Sequence, residues 1–304
     1  MQQTLVADTL SPPIGRRYRV ADRHLALHRA GSGGPSVVFL PGAGLIGLDY
    51  LNVATEIAGS TTAVLYDRAG TGWSDAIALP RTAAAVAEEL QALLAAAEVP
   101  APYVLVGHSL GGAYIRRYAQ LFPNEVAGLL FLDPAHEGYA DFPRQGLLAQ
   151  VRQTLAMLPA LLNLRKFYRP RFEAMLQGWP EGLRQTLIEY HLAAWRKTLD
   201  EARNLQSKVL GEIGRGGRLP DVPLIVLTAM GLDPFQAAFM PEAQLRALNA
   251  RKAPIYQALA HSVPRGENRS LTDAGHSTIH TDRPDAVVQA LQEILAAAMR
   301  SKVS

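Results

Sequence analysis

Short apolar runs recur along the chain, and each ends on a turn residue. Val37–Leu40 runs into Pro41-Gly42, Thr62–Tyr66 into Asp67, and Tyr103–Val106 into Gly107. Leu129–Leu132 runs into Asp133-Pro134, and Leu224–Thr228 into Ala229-Met230-Gly231. Runs of this length, apolar throughout, predict strands buried on both faces. Asn268–Leu271 is a further candidate strand. Between the runs the apolar positions fall at helical spacing. Thr82–Ala97 has Thr82 as a candidate N-cap, Gly111–Leu121 follows the third run, and Pro284–Met299 carries Pro284 at its first turn. Strand and helix in alternation predict an α/β fold, a three-layer, doubly wound and mostly parallel sheet.

One stretch breaks the alternation. Between Asp133 and Leu224 no strand pattern occurs, and helical periodicity appears in Gln145–Leu158, Tyr168–Leu176, Leu183–Leu199 and Leu205–Ile213. Connections this long usually carry structure of their own. The stretch is read as an inserted helical cap over the C-terminal edge of the sheet. The expected division is a core of residues 1–134 and 219–304 with a cap of residues 135–218. Gly214–Arg218 is the expected flexible return to the core.

The segment Gly107-His-Ser-Leu-Gly-Gly112 carries the chemistry. A serine on a sharp strand-to-helix turn presents its hydroxyl above the sheet. Side chains two residues before and after it would clash with the turn, which explains Gly107 and Gly111. The following helix directs its free N–H groups and positive dipole end at the serine. Ser109 is therefore the candidate nucleophile. A serine hydroxyl needs a base. In proteins built on such a turn the order is serine, acid, histidine, so the base is sought late in the chain. His276, in Asp273-Ala-Gly-His276-Ser, is best placed, with His280 as runner-up. His108 adjoins the serine but is expected to point away from it. Two aspartates at strand ends compete for the acid. Asp233 is favoured by the usual order and Asp133 is the alternative, each also readable as an Asp-Pro turn. Asp273 is read as loop scaffolding. The expected oxyanion donors are the backbone N–H groups of Leu110 and of Ala43, in Leu40-Pro-Gly-Ala-Gly44. A phosphate-loop reading of Gly42–Gly47 fails for want of a following Lys-Ser/Thr, or of an acid at the right distance on a next strand.

Composition narrows the picture further. Of 304 residues none is cysteine, which removes disulfides, thiolate metal sites and cysteine nucleophiles. Thirty basic residues against 27 acidic ones give a net charge of +3, and no basic run with interleaved aromatics points to nucleic acid. No window reaches the length of a membrane span, and the N-terminal stretch lacks the order of a signal peptide. A cytoplasmic enzyme without cofactor or metal is the expectation.

Taken together these segments resemble the α/β-hydrolase superfamily nearly end to end. Pro41-Gly42-Ala-Gly44 is similar to its oxyanion loop, with Pro41 where His is usual. Asp67-Arg-Ala-Gly-Thr-Gly-Trp-Ser74 is similar to its Asp-x-Arg-Gly-x-Gly-x-Ser segment, with the Arg displaced to the second position. Gly107-His-Ser-Leu-Gly111 resembles its nucleophile elbow, and Gly275-His276 with Arg283-Pro284 its histidine loop and closing helix. The resemblance implies a capped sheet-and-helix core and no cofactor. In some members the acid follows the sixth strand, which keeps Asp133 open beside Asp233. The expected activity is cleavage of a carboxylic ester through an acyl-enzyme, on a small to medium, fairly apolar substrate. Serine at the elbow argues against epoxide hydrolase and haloalkane dehalogenase chemistry, which need a carboxylate there. Peptidase, lactonase, C–C hydrolase and acyltransferase activities stay open, as does a non-catalytic binding protein on the same fold. The cap offers Phe142, Phe167, Tyr168, Phe172, Trp179, Tyr190 and Trp195, expected mainly to pack, and Arg144, Arg165 and Arg169, expected mainly at the surface.

Overall fold

The computed structural model describes residues 11–141 and 164–300. The expected helix Gln145–Leu158, with Phe142 and Arg144, lies outside the described residues, as does the stretch before Ser11. In chain order the strands are β1 (Arg16–Val20), β2 (Arg23–Ala30), β3 (Ser36–Leu40), β4 (Ala63–Tyr66), β5 (Tyr103–His108), β6 (Val126–Leu132), β7 (Leu224–Ala229) and β8 (Gly266–Leu271). They form one sheet in the order β1-β2-β4-β3-β5-β6-β7-β8. β1 pairs antiparallel with β2, and β2 antiparallel with β4. All pairs from β4 through β8 are parallel.

The strands predicted from apolar runs are all present, and β3, β4, β5 and β7 are buried along their whole lengths. Their side chains alternate between two apolar clusters, one per face of the sheet. Val38, Leu105 and Phe131 join the first, and Phe39, Val106 and Leu132 the second. The helices cover these faces. They are α1 (Leu51–Ile57), α2 (Ala83–Ala96), α3 (Leu110–Leu121), α4 (Leu164–Met175), α5 (Glu181–Ala202), α6 (Leu210–Arg215), α7 (Glu242–Ala260), α8 (Ile279–Asp282) and α9 (Pro284–Arg300). Leu90 of α2, Tyr118 of α3 and Tyr256 of α7 pack on the first face, and Ile57 of α1 and Leu291 of α9 on the second. Thr82 caps α2, its hydroxyl accepting from Ala85 N at 3.1 Å.

Two features escape the apolar pattern. The β1–β2 hairpin is an edge, rich in Arg, with only Val20, Leu25, Ala26 and Leu27 inside. Edge strands are kept polar, so they do not read as buried runs. The long helix α7 has no clean apolar stripe and carries Pro254 within it.

Between β6 and β7 the described chain is helical, as expected, through α4, α5 and a π-turn at Leu205–Val209 that runs into α6. Polar side chains tie this insertion to loops of the sheet. His191 meets Asp49 at 2.8 Å, Trp179 Nε1 donates to Leu48 O at 2.8 Å, and the Tyr190 hydroxyl accepts from Gly72 N at 2.7 Å. The return begins inside α6, which ends at Arg215. Among the described residues no helix is long and apolar enough to cross a membrane.

Candidate active site

Ser109 sits between β5 and α3 with φ 50° and ψ −118°, a left-handed backbone that a non-glycine residue adopts only when its surroundings enforce it. The flanking glycines make the turn possible. A Cβ on Gly111 would lie 2.0 Å from Leu40 O, and one on Gly107 would lie 2.6 Å from Gly111 O. A Cβ on Gly112 would lie 2.4 Å from the Pro134 side chain, so this glycine lets α3 approach the end of β6.

The parallel strands deliver their C-terminal ends to one edge, where loops of an α/β sheet build sites. His276 Nε2 lies 3.0 Å from Ser109 Oγ, and its Nδ1 lies 2.6 Å from Asp133 Oδ2. Asp133 follows β6 at φ 43° and is 1% exposed. Its Oδ1 accepts from Ala229 N at 2.9 Å, and Lys252 Nζ of α7 lies 2.8 Å from its Oδ2. Burial disfavours the Asp133 charge, but Lys252 and His276 beside it outweigh burial and hold the carboxyl below the usual carboxylate range.

Of the two candidate acids the geometry brings Asp133, and not the preferred Asp233, to His276. Asp233 faces the backbone: Oδ1 accepts from Phe235 N at 3.0 Å and Gln236 N at 2.7 Å, and Oδ2 accepts from Ser277 N. It is the Asp-Pro turn of the alternative reading, and it braces the loop that carries His276. Asp282 braces the same loop, accepting from Gly275 N at 2.8 Å. Asp273 is on the surface and pairs with Arg283 at 3.1 Å. The runner-up His280 does not reach Ser109. It is fully buried and stacks on Tyr50 with ring centroids 4.4 Å apart. Burial, then the neighbouring His108, holds its pKa well below the ordinary value.

His108 points away from the serine oxygen but not away from the site. Its Nε2 lies 2.7 Å from the carbonyl oxygen of His276 and its Nδ1 lies 2.6 Å from the Tyr50 hydroxyl. A carbonyl only accepts, so Nε2 carries the hydrogen and Nδ1 accepts from Tyr50. Burial, then the adjacent His276, lowers the His108 pKa to about 3, so the ring is neutral.

The loop after β3 lies against the elbow. A Cβ on Gly42 would stand 3.2 Å from His108 Nδ1 and 3.3 Å from Ser109 Cβ, so a side chain there would crowd the elbow. Ala43 N–H bonds no acceptor among the described residues, and Leu110 N–H opens α3, where a helix has no internal acceptor. The loop is held from behind by Arg68, which is 1% exposed. Arg68 donates to Pro41 O at 2.7 Å and Gly42 O at 2.9 Å, and pairs with Glu201 of α5 at 2.9 Å. Glu201 Oε2 also accepts from Gly44 N at 2.8 Å. Burial disfavours the Arg68 charge, but Glu201 outweighs it and raises the pKa above its usual value. Arg68 belongs to the Asp67–Ser74 segment seen in the sequence. Glu201 and Lys252 had no local signal, because each gains its partner only through the fold.

Above Ser109 lies a cavity of about 340 Å³. Its floor includes Ala43, Ser109 and His276, and its walls are Tyr168, Phe172 and Met175 of α4, Leu192 and Trp195 of α5, and Phe235. Three of the aromatics expected to pack thus face this space, while Trp179 and Tyr190 tie the insertion to the core. Arg165 and Arg169 pair with Glu189 at the surface. Among the described residues no cluster of His, Asp or Glu could hold a metal ion.

A sequence model described as the alpha/beta hydrolase family matches residues 37–290. The chain is 36% identical over 115 residues to the uncharacterized protein YqjL of Bacillus subtilis (strain 168), covering 38% of this chain and 46% of that protein. It thus spans less than half the length of that relative. It is 31% identical over 260 residues to the pimeloyl-[acyl-carrier protein] methyl ester esterase of Chromobacterium violaceum, covering 83% of this chain and 87% of that enzyme. A thermophilic esterase from Thermogutta terrifontis, solved with malate bound, shares the fold with a TM-score of 0.59 at 21% identity, over 93% of this chain and 98% of that one. With the fold, the elbow and this match over most of its length, the chain belongs to the alpha/beta hydrolase family.

Proposed function

We propose that this protein is a serine hydrolase of carboxylic esters. The observation that carries the reading is the unbroken hydrogen-bonded line from Ser109 through His276 to Asp133, beneath an apolar cavity. Ser109 Oγ attacks the ester carbonyl while His276 Nε2 takes its proton. Asp133 holds the Nδ1–H tautomer and faces the imidazolium that forms. The N–H groups of Ala43 and Leu110 donate to the oxyanion. His276 then protonates the departing alkoxide, and water, activated by the same nitrogen, releases the acid from Ser109. Residues 135–218 act as the cap that shapes the acyl pocket.

The substrate is a small to medium ester with an apolar chain. The cavity is near the lower end of the roughly 300–1,000 Å³ common for small-molecule sites. Its walls are aromatic and aliphatic, and the nearby arginines are engaged elsewhere. The relative from Chromobacterium violaceum, a methyl ester esterase, supports the same bond type.

A series of p-nitrophenyl esters tests this. Each buried methylene contributes about 0.8 kcal/mol, so kcat/KM is expected to rise about tenfold from acetate to butyrate. The succinate half-ester, equal in length to butyrate but charged, is expected to fall below it. No turnover of any ester, or a preference for the charged chain, contradicts the reading.

A further inference from the structure

Asp133 Oδ2 is shared. It takes His276 Nδ1 at 2.6 Å on one side and Lys252 Nζ at 2.8 Å on the other. The lysine is as enclosed as the carboxylate, with side-chain exposures of 5% and 1%. A serine–histidine pair needs only an acid to orient the ring, and the reaction just described uses no cation. A lysine taken out of water at this depth is stable only beside an anion, and Asp133 is its ion-pair partner among the described residues. Lys252 lies mid-way along α7, whose neighbouring side chains reach the same corner: Asn249 donates to Gly231 O at 2.9 Å and Tyr256 to Pro134 O at 2.7 Å. The ammonium is thus fixed in place by the helix.

We propose that Lys252 is a positioning residue that sets the charge state of the Ser109–His276–Asp133 line. It acts through Asp133, fixing the carboxylate toward Nδ1 and adding a permanent positive charge one atom beyond it. The inference rests on the triad proposed above. With Lys252 present, Asp133 is already neutralised, and protonating His276 leaves the buried group with a net charge of +1. Without Lys252 the same protonation would bring the group to zero. The lysine therefore opposes a second positive charge on the ring and favours the neutral Nε2 that accepts from Ser109.

The other titratable groups around His276, His108 and Asp133 do not supply this charge. His108 of β5 is neutral, His280 of α8 is buried with its pKa held down, and the hydroxyls of Tyr139 and Tyr256 carry raised pKa values through burial. Asp233, in the loop after β7, is negative in sign and turned to backbone N–H groups.

The test follows the His276 ring by NMR across pH, alongside the rate of fluorophosphonate labelling, in the wild-type protein and three variants. Lys252→Met removes the charge, Lys252→Gln removes it but keeps a donor, and Lys252→Arg keeps it. In the Met and Gln variants the ring titration and the acid limb of the labelling rate are expected about one pH unit higher than in wild type. The Arg variant is expected to keep the wild-type limb. A purely structural lysine would lower the melting temperature and leave both curves where they are, and that result overturns the proposal. So does a shifted limb in the Arg variant, the one most apt to fold. A ring titration that moves while labelling ignores it upholds the Lys252–Asp133 coupling and instead overturns the role given to His276.

Discussion

Asp133→Asn is expected to lower kcat by about 10⁴-fold, while Asp233→Asn lowers it less than tenfold. The first number follows from tautomer control. An asparagine at 133 can offer its amide N–H to Nδ1, which would move the ring hydrogen to Nε2. Nε2 then points a hydrogen at Ser109 Oγ, 3.0 Å away, and cannot take its proton. The change also leaves Lys252 buried beside a neutral amide, so a drop in melting temperature accompanies the loss of rate. Asp233 touches no reacting group. Its oxygens serve Phe235, Gln236 and Ser277 N–H groups, and an asparagine oxygen keeps part of that function. Steady-state kinetics on the butyrate ester with thermal melts of both variants separates the two aspartates. Equal losses in kcat would remove Asp133 from its assigned place.

The second large effect concerns the loop that carries Ala43. Arg68 and Glu201 are 1% and 3% exposed and face each other across the junction of core and insertion. Glu201→Gln leaves the guanidinium without its counter-charge, and breaking a buried pair from one side costs about 3–5 kcal/mol. The same change weakens the hold on Gly44 N, and a loosened Arg68 weakens the hold on the Pro41 and Gly42 carbonyls. A displaced oxyanion donor costs about 10²–10³ in kcat. Stability and catalysis are separable here. The double variant Arg68→Met with Glu201→Leu fills the space with apolar atoms and is expected to recover most of the melting temperature. It is not expected to recover kcat, because the loop carbonyls remain unheld. Recovery of both together would mean that the pair serves stability alone.

The parts of this molecule that could be read from the chain are those fixed by local rules. The buried strands β3 to β7 announce themselves as apolar runs, and the elbow by glycines whose absent side chains the turn requires. The approach of His276 to Ser109 could be anticipated from its place after the last strand. The choice between Asp133 and Asp233 was not. Both follow a parallel strand, both precede proline, and both are almost fully buried, at 1% and 2%. What separates them is the reach of one ring nitrogen, a distance set by how the histidine loop folds back over β6 and β7. The chain order favoured Asp233 because it carries no such distance, and it is Asp133 that lies within hydrogen-bond reach of His276. Arg68 stood inside a recognised segment, yet its partner Glu201 is 133 residues away. Lys252 lies on a helix whose apolar pattern is blurred, and only the packing of α7 against the end of β6 gives it meaning. The edge hairpin was hidden for the opposite reason, since Arg16, Arg19 and Arg29 face solvent where a buried strand would carry valine.

The assignment of Ser109 as nucleophile can be tested by one measurement without knowledge of the natural substrate. The wild-type protein and Ser109→Ala are treated with a fluorophosphonate, digested, and the adducted peptide is located by mass spectrometry. A fluorophosphonate reacts with a serine only when a neighbouring base and oxyanion donors activate it. One adduct per wild-type chain is expected, on Ser109, and none on the variant. An unlabelled wild-type protein, or an adduct that persists in Ser109→Ala, would contradict the assignment.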